Sequence, residues 1–390
     1  MKPVLIETPA GMADLLAQLE NETALAVDTE FFRETTYYPH LGLIQIAGEN
    51  IVACIDPLAF DAGEALRKIF CNRAITKIFH SCSQDMEVLF HHYGFVPCPV
   101  HDTQIAEALL STHEQIGYAR LVENELGVQL AKTQTRTNWV KRPLSRKQLD
   151  YAGDDVRYLY RLYKQLLDKL KTAGRYHWFE EDCSRLCAAN DNADQLAAQF
   201  SVEESTLWKR VKGSNKYSGV KLAIIQAVAR WRENIAIETD TTRRRVLHDE
   251  AILQLAMQPP QTPGALDHLR NNRFALTTQQ IEQLLACIQQ AEQSTASQWP
   301  LNTRQRPTAE QKAQLSTLQN ILTQRASELG ISAGVLCARK NLEKLIAGQT
   351  DLPVMQGWRL DCVGKALQEH LPGRAVTESA TGENRPNLTD

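Results

Sequence analysis

The sequence predicts an α/β domain built on a mixed sheet, followed by an all-α second half. Three observations carry that reading. Short β-type runs fall within the first 80 residues, helical patterns interleave with and follow them, and from Val202 onward helical periodicity continues almost without interruption. At 390 residues the chain is long enough for two or three domains and a substantial core.

A helix-like stretch covers Met12 to Leu19. TALAVDTEFF, LGLIQIA and IVACID follow as β-type runs separated by turn residues, a spacing that most simply forms an antiparallel meander. A helix over Phe60 to Phe70 and a strand over Ala74 to Phe79 come next. Helical patterns then cover Ser83 to Tyr93, Thr103 to Leu110 and Leu121 to Leu126, and a loop rich in Trp, Arg and Pro leads to a long helix from Arg146 to Lys171. In the second half, Pro259 to Gly264 and the polar stretch Ser294 to Pro307 read as connectors. A faint repeat relates Val246, Leu247 and Leu253 to Val335, Leu336 and Leu342. The last segment, GRAVTESATGENRPNLTD, holds too few large apolar residues to pack and reads as a disordered tail.

The net charge of −3 neither advertises nor excludes a nucleic-acid partner, but the charge is segregated. Residues 118 to 147 carry 7 Lys/Arg against 2 Asp/Glu, and residues 208 to 245 carry 10 against 3. The 9 cysteines lack zinc-ligand spacing and read as reduced thiols. No stretch has the apolar length of a signal peptide or a membrane span, and no heptad run predicts a coiled coil, so a cytoplasmic monomer without a membrane partner is expected.

Four acids stand out. Asp28 and Glu30 lie two apart in a strand, so a period of two sends both carboxylates to one face, about 7 Å apart. Such a pair beside the apolar run LAV is costly to desolvate unless a cation neutralises it, and hard oxygen ligands suit Mg2+ or Mn2+. Asp85 is followed at i+3 and i+4 by Val88 and Leu89, which places it on the apolar stripe of its helix. Asp155 is followed by Leu159, Leu162 and Leu166, whereas its neighbour Asp154 is followed by Tyr158, Arg161 and Gln165, so Asp155 is the inward acid. Tyr151 lies one turn before it. Any one of these reads as an ordinary element boundary; the set reads as a metal site. Asp102, by contrast, sits where a helix N-cap is needed.

Taken together, VDTEFFRETTYYPHLGLIQIA, FHSCSQDMEVL and YAGDDVRYLY resemble, in order, the three motifs of the DEDD-type 3′ to 5′ exonucleases of ribonuclease H-like fold, in their Tyr subgroup. Within them, the intervening GYARLVENELGVQLAKTQTRTNWVKRPLSRKQL is similar to the ribonuclease D family. The helical half resembles HRDC modules, through LWKRVKG, ARWRENIA and TTRRRVLHDEAILQLA, with a weaker second copy in GVLCARKNLEKLIAG and MQGWRLDCVGKAL.

The resemblance implies an exonuclease domain over residues 1–195, HRDC-like domains over 202–293 and 305–372, and a tail over 373–390. It implies a 3′ to 5′ exoribonuclease acting on structured RNA, tRNA precursors with 3′ extensions in particular, and releasing nucleoside 5′-monophosphates with two divalent ions. Asp28 is expected to bridge the ions, Glu30 and Asp155 to bind the ion on the nucleophile side, Asp85 to support the other through solvent, and Tyr151 to orient the attacking water. By the same analogy Phe31 stacks on the terminal bases, with core packing as its other reading.

Lys132 and Arg142 are candidate phosphate contacts, and Trp139 is either a contact or a prop for its loop. Lys209, Arg210, Lys212, Arg243, Arg244 and Arg245 form a candidate RNA-backbone surface. The rival readings are a DNA-directed exonuclease with the same site and a non-catalytic RNA-binding adaptor. The absence of a polymerase-sized partner domain opposes the first, and the intact acids oppose the second.

Overall fold

The computed structural model describes residues 1–131, 137–190, 192–271, 274–302 and 308–371. It divides into two compact units, residues 1–107 with 115–305, and residues 108–114 with 306–390.

The first unit opens with β1 (Val4–Ile6) and α1 (Pro9–Gln18), followed by β2 (Ala24–Phe32), β3 (His40–Ala47) and β4 (Val52–Ile55). The expected meander is present: β3 pairs antiparallel with both β2 and β4. After α2 (Gly63–Phe70) come β5 (Thr76–Phe79), α3 (Ser83–Tyr93), β6 (Val100–Asp102), α4 (Thr103–Ala108), α5 (Tyr118–Leu126) and α6 (Arg146–Thr172). The sheet order is β1-β4-β3-β2-β5-β6, with β1, β5 and β6 joined in parallel. The three-residue strands β1 and β6 escape the sequence reading, because so short a run carries no period; pairing with β4 and β5 makes them strands.

One face of the sheet packs on α1, α2 and α3 through Leu25, Val27, Ile44, Ile46, Phe70, Phe79 and Leu89. The other receives α6 across β2, β3 and β4. Helix α6 starts where it does because Ser145 and Gln148 form a reciprocal capping box, and its apolar row from Leu149 through Val156 and Leu159 to Leu170 is buried.

After α7 (Tyr176–Ser184) and α8 (Ala193–Phe200), a helical module forms around α9 (Gly219–Glu238), with α10 (Arg243–Val246), α11 (Asp249–Met257) and α12 (Thr278–Glu292). Buried Arg232 of α9 ties these together, donating to the Leu247 carbonyl at 2.9 Å and to Asp249 at 2.7 Å. Part of the expected connector after residue 293 packs instead of linking freely: Trp299 lies against this module's core, and Asn302 donates to the carbonyls of Asn215 and Tyr217.

The second unit contains α13 (Ala309–Leu329), α14 (Ala333–Leu336) and α15 (Arg339–Ile346). Matching α10 and α11 to α14 and α15 pairs the buried residues Val246, Leu247, Ile252 and Leu255 with Leu336, Cys337, Leu342 and Leu345. The repeat is thus offset by one residue from the Val-Leu alignment read from sequence, because burial and not residue type sets the register. Among the described residues no helix is long and apolar enough to cross a membrane. The tail after residue 372 lies outside the described residues.

Candidate active site

Strand β2 sends Leu25, Val27 and Phe31 to the α3 side of the sheet and leaves Asp28 and Glu30 facing α6. There they meet Asp155, and carboxylate oxygens of all three lie within 4.8 Å of one another. Asp155 is the acid α6 turns inward, while Asp154 is engaged by Arg157 one turn on.

Asp85 approaches from the edge. The pairing of β2 with β5 ends at Ala26, so the amide of Thr29 has no strand partner on that side. Asp85, buried in the first turn of α3, takes that place: one of its oxygens accepts from the Thr29 amide at 3.2 Å and from the Thr29 hydroxyl at 2.6 Å. The start of α3 is held in turn by Asp102. Its carboxylate accepts from the amides of Ser81 and Cys82 at 2.9 and 2.8 Å, and caps α4 through the Gln104 amide at 2.8 Å. Ser81 has a φ of 64°, a strained left-handed conformation for a residue with a side chain, and these bonds stabilise the turn that aims α3 at the site. The N-cap reading of Asp102 was therefore half of its role; its grip on α3 has no local sequence signal.

The acids repel one another. Burial, then Asp155, raises Asp28 well above the usual carboxylate range. Burial, then Asp28, Asp155 and Asp85, pushes Glu30 up to about 10. Burial, then Asp154, pushes Asp155 up to about 8. Asp85 is raised by burial and by Asp28 despite the bond from Thr29. Burial and the neighbouring carboxylates are what raise all four. Carboxylates converging this closely fit a hard divalent cation and disfavour an anion.

Half-buried Tyr151 stands one turn before Asp155. Burial, then Asp155, Glu30 and Asp28, raises its phenol, so it keeps its proton at neutral pH. Behind it lies Trp139, 2% exposed, with ring centroids 6.2 Å apart. Trp139 belongs to the core formed by Leu43, Cys54, Leu149 and Ala152, which favours the prop over the contact. Its loop is pinned at a β-bulge: Glu30 pairs with Leu43 and Phe31 with Leu41, so Gly42 is skipped, and a Cβ there would stand 2.7 Å from the Trp139 carbonyl oxygen. Arg142 completes the attachment. It donates to both oxygens of buried Asp56, at 2.5 and 2.7 Å, and to the carbonyls of Gly42 and Trp139 at 2.7 Å. The structure places Arg142, expected as a phosphate contact, in a pairing with Asp56, 86 residues away.

Of the other expected RNA contacts, Lys132 lies outside the described residues. Phe31 is half-buried against the α3-side core, on the opposite face from Asp28 and Glu30. Lys209, Arg210, Lys212, Arg244 and Arg245 are exposed on the helical module. Arg243 is not part of that free surface. Its guanidinium is gripped by Glu233, lies 4.7 Å from the Tyr37 ring centroid and donates to the Tyr37 hydroxyl at 3.0 Å. Asp240 reinforces this junction, accepting from the amides of Tyr37 and Tyr38 at 2.9 and 3.0 Å and contacting His40 at 2.7 Å. The segment so held joins β2, with its acids, to β3. Arg33, Arg210, Arg243, Ser83, Gln84 and Phe200 contribute to a cleft of about 380 Å³ there.

Comparison with known proteins finds matches along nearly the whole chain. Residues 3–171 match the 3′-5′ exonuclease family and residues 221–288 match the HRDC domain. The chain is 35% identical to ribonuclease D of Zymomonas mobilis, over 97% of this chain and 96% of that protein. It is 34% identical to ribonuclease D of Acidiphilium cryptum, over 98% and 96%. The crystal structure of Escherichia coli RNase D, described as an exoribonuclease involved in structured RNA processing, superposes with a TM-score of 0.81 at 28% identity, covering 95% of this chain and 98% of that one.

Proposed function

This chain belongs to the ribonuclease D family of metal-dependent 3′ to 5′ exoribonucleases, and on that premise we propose that it trims the 3′ ends of structured RNA, tRNA precursors in particular, at a site formed by Asp28, Glu30, Asp85, Asp155 and Tyr151. The observation that carries the assignment of residues is the convergence of Asp28, Glu30 and Asp155 within 4.8 Å, with Tyr151 one turn before Asp155.

Asp28, Glu30 and Asp155 would hold divalent cations, two Mg2+ or Mn2+ ions, with Asp85 supporting them from the edge. Bound there, such ions supply Lewis-acid stabilisation of charge developing on a phosphodiester and favour hydrolysis at neutral pH. The chain's own groups then account for geometry. Thr29 and Asp102 fix where Asp85 stands, the Trp139 loop fixes Tyr151, and the Tyr151 hydroxyl, keeping its proton, orients the attacking water by hydrogen bonding without acting as a base. In-line attack releases a nucleoside 5′-monophosphate. Lys209, Arg210, Lys212, Arg244 and Arg245 are the proposed backbone contacts, giving affinity without sequence choice. The 336–345 register supports reading residues 305–372 as a divergent second module of the HRDC kind. A cytoplasmic, monomeric protein is part of the same proposal.

The test incubates the protein and Asp155→Asn with a 5′-labelled RNA carrying a single-stranded 3′ tail, and with its DNA equivalent, in Mg2+, Mn2+ or EDTA. A metal-dependent ladder on RNA, absent in the variant, is expected. Equal shortening of DNA would overturn the RNA preference, and full activity of Asp155→Asn would overturn the site.

A further inference from the structure

Gln45 lies in the middle of β3 and is fully buried. Its register partner in β2 is Asp28, and its partner in β4 is Cys54. Residues directly opposite in an antiparallel pair share a face, with Cβ atoms about 5 Å apart. Gln45 therefore projects beside the Asp28 carboxylate, on the α6 side of the sheet. The neighbouring side chains of that face, Leu43, Cys54 and Ala152, form an apolar core.

Among the described residues, neither Nε2 nor Oε1 of Gln45 has a hydrogen-bond partner. Buried amides are almost always partnered, because desolvating one without compensation is unfavourable. Packing alone would be served by Leu or Met at this position. An amide donor set beside a ligand carboxylate and engaged by nothing else has a productive use: holding one oxygen of that carboxylate while the other turns to a cation.

We propose that Gln45 is a positioning residue of the cation site: when the ion binds, its Nε2 donates to Asp28 and orients that carboxylate toward the divalent ion. The proposal rests on reading the four acids as the divalent-cation site. It assigns no chemistry to Gln45 itself. It also gives a reason for a polar residue in the most buried stretch of the central strand.

The full chain, Gln45→Leu and Gln45→Met are freed of metal with EDTA and titrated with Mn2+ by calorimetry. Thermal unfolding is followed in EDTA and in Mg2+. Both variants are expected to melt in EDTA at or above the wild-type temperature, since hydrocarbon replaces an unpartnered amide of similar size. They are expected to bind Mn2+ about 10- to 100-fold more weakly, with a smaller rise in melting temperature on adding Mg2+. Wild-type Mn2+ affinity in either folded variant, including the case of a lowered melting temperature with unchanged affinity, overturns the proposal and makes Gln45 structural. Failure of the wild-type chain itself to bind Mn2+ would instead overturn the cation-site reading beneath it.

Discussion

Thr29 gives both its amide and its hydroxyl to a single oxygen of Asp85, at 3.2 and 2.6 Å. Thr29, placed between Asp28 and Glu30, thereby couples the edge acid to the strand acids. Thr29→Val keeps the shape and the amide bond but removes the hydroxyl. It is expected to raise the Mg2+ concentration needed for half-maximal activity by about 10-fold, with Thr29→Ser restoring it. Equal Mg2+ dependence of Val and Ser variants would exclude this role.

Without metal, the cluster should make stability fall as pH rises. Asp155, held up to about 8, and Glu30, up to about 10, stay protonated in the fold above the pH at which the unfolded chain loses those protons. Their contribution is full below about pH 4 and is lost progressively as pH rises through the folded values. Melting curves in EDTA between pH 5 and 9 are expected to shift downward with pH, and Mg2+ to reverse the trend. A pH-independent midpoint in EDTA would contradict the electrostatic picture.

Tyr151→Phe should separate orientation from metal binding. The phenol is held protonated by burial and by three acids. Loss of its hydroxyl is therefore expected to lower kcat by about 10²-fold or more while Mn2+ affinity stays unchanged. A parallel loss of metal affinity would assign Tyr151 to ion binding.

Arg142 should behave as a structural residue. Its removal leaves Asp56, 2% exposed, as a buried unpaired carboxylate, which costs about 3 to 5 kcal/mol. Arg142→Ala is expected to lower the melting temperature sharply, with RNA affinity of the folded fraction retained. Unchanged stability with weakened RNA binding would restore the phosphate-contact reading.

The three consecutive arginines of α10 should not be equivalent. Arg244→Ala and Arg245→Ala are each expected to weaken RNA binding across sequences and to lower the salt slope by about 0.7 to 0.9 per lost contact. Arg243→Ala, by freeing Glu233 and Tyr37, is expected to loosen the junction while sparing that slope. Filter binding across a salt series, beside limited proteolysis between residues 33 and 40, distinguishes them.

The placement of the acids was legible in local pattern. A period of two placed Asp28 and Glu30 together, and helical spacing separated Asp155 from Asp154 and aligned Tyr151, because those relations lie within one element and backbone geometry alone enforces them. The motif order was equally readable. Several pairings with partners distant along the chain were not. Arg142, Trp139 and Arg243 have the composition of an RNA surface, yet Asp56, Gly42, Glu233 and Tyr37 claim them, and only folding brings those groups within reach. The hold of Thr29 on Asp85 spans 56 residues, and the strands β1 and β6 exist through their neighbours. Periodicity reports which way a side chain points; what it meets there depends on loop closure and packing, and that information belongs to the tertiary structure.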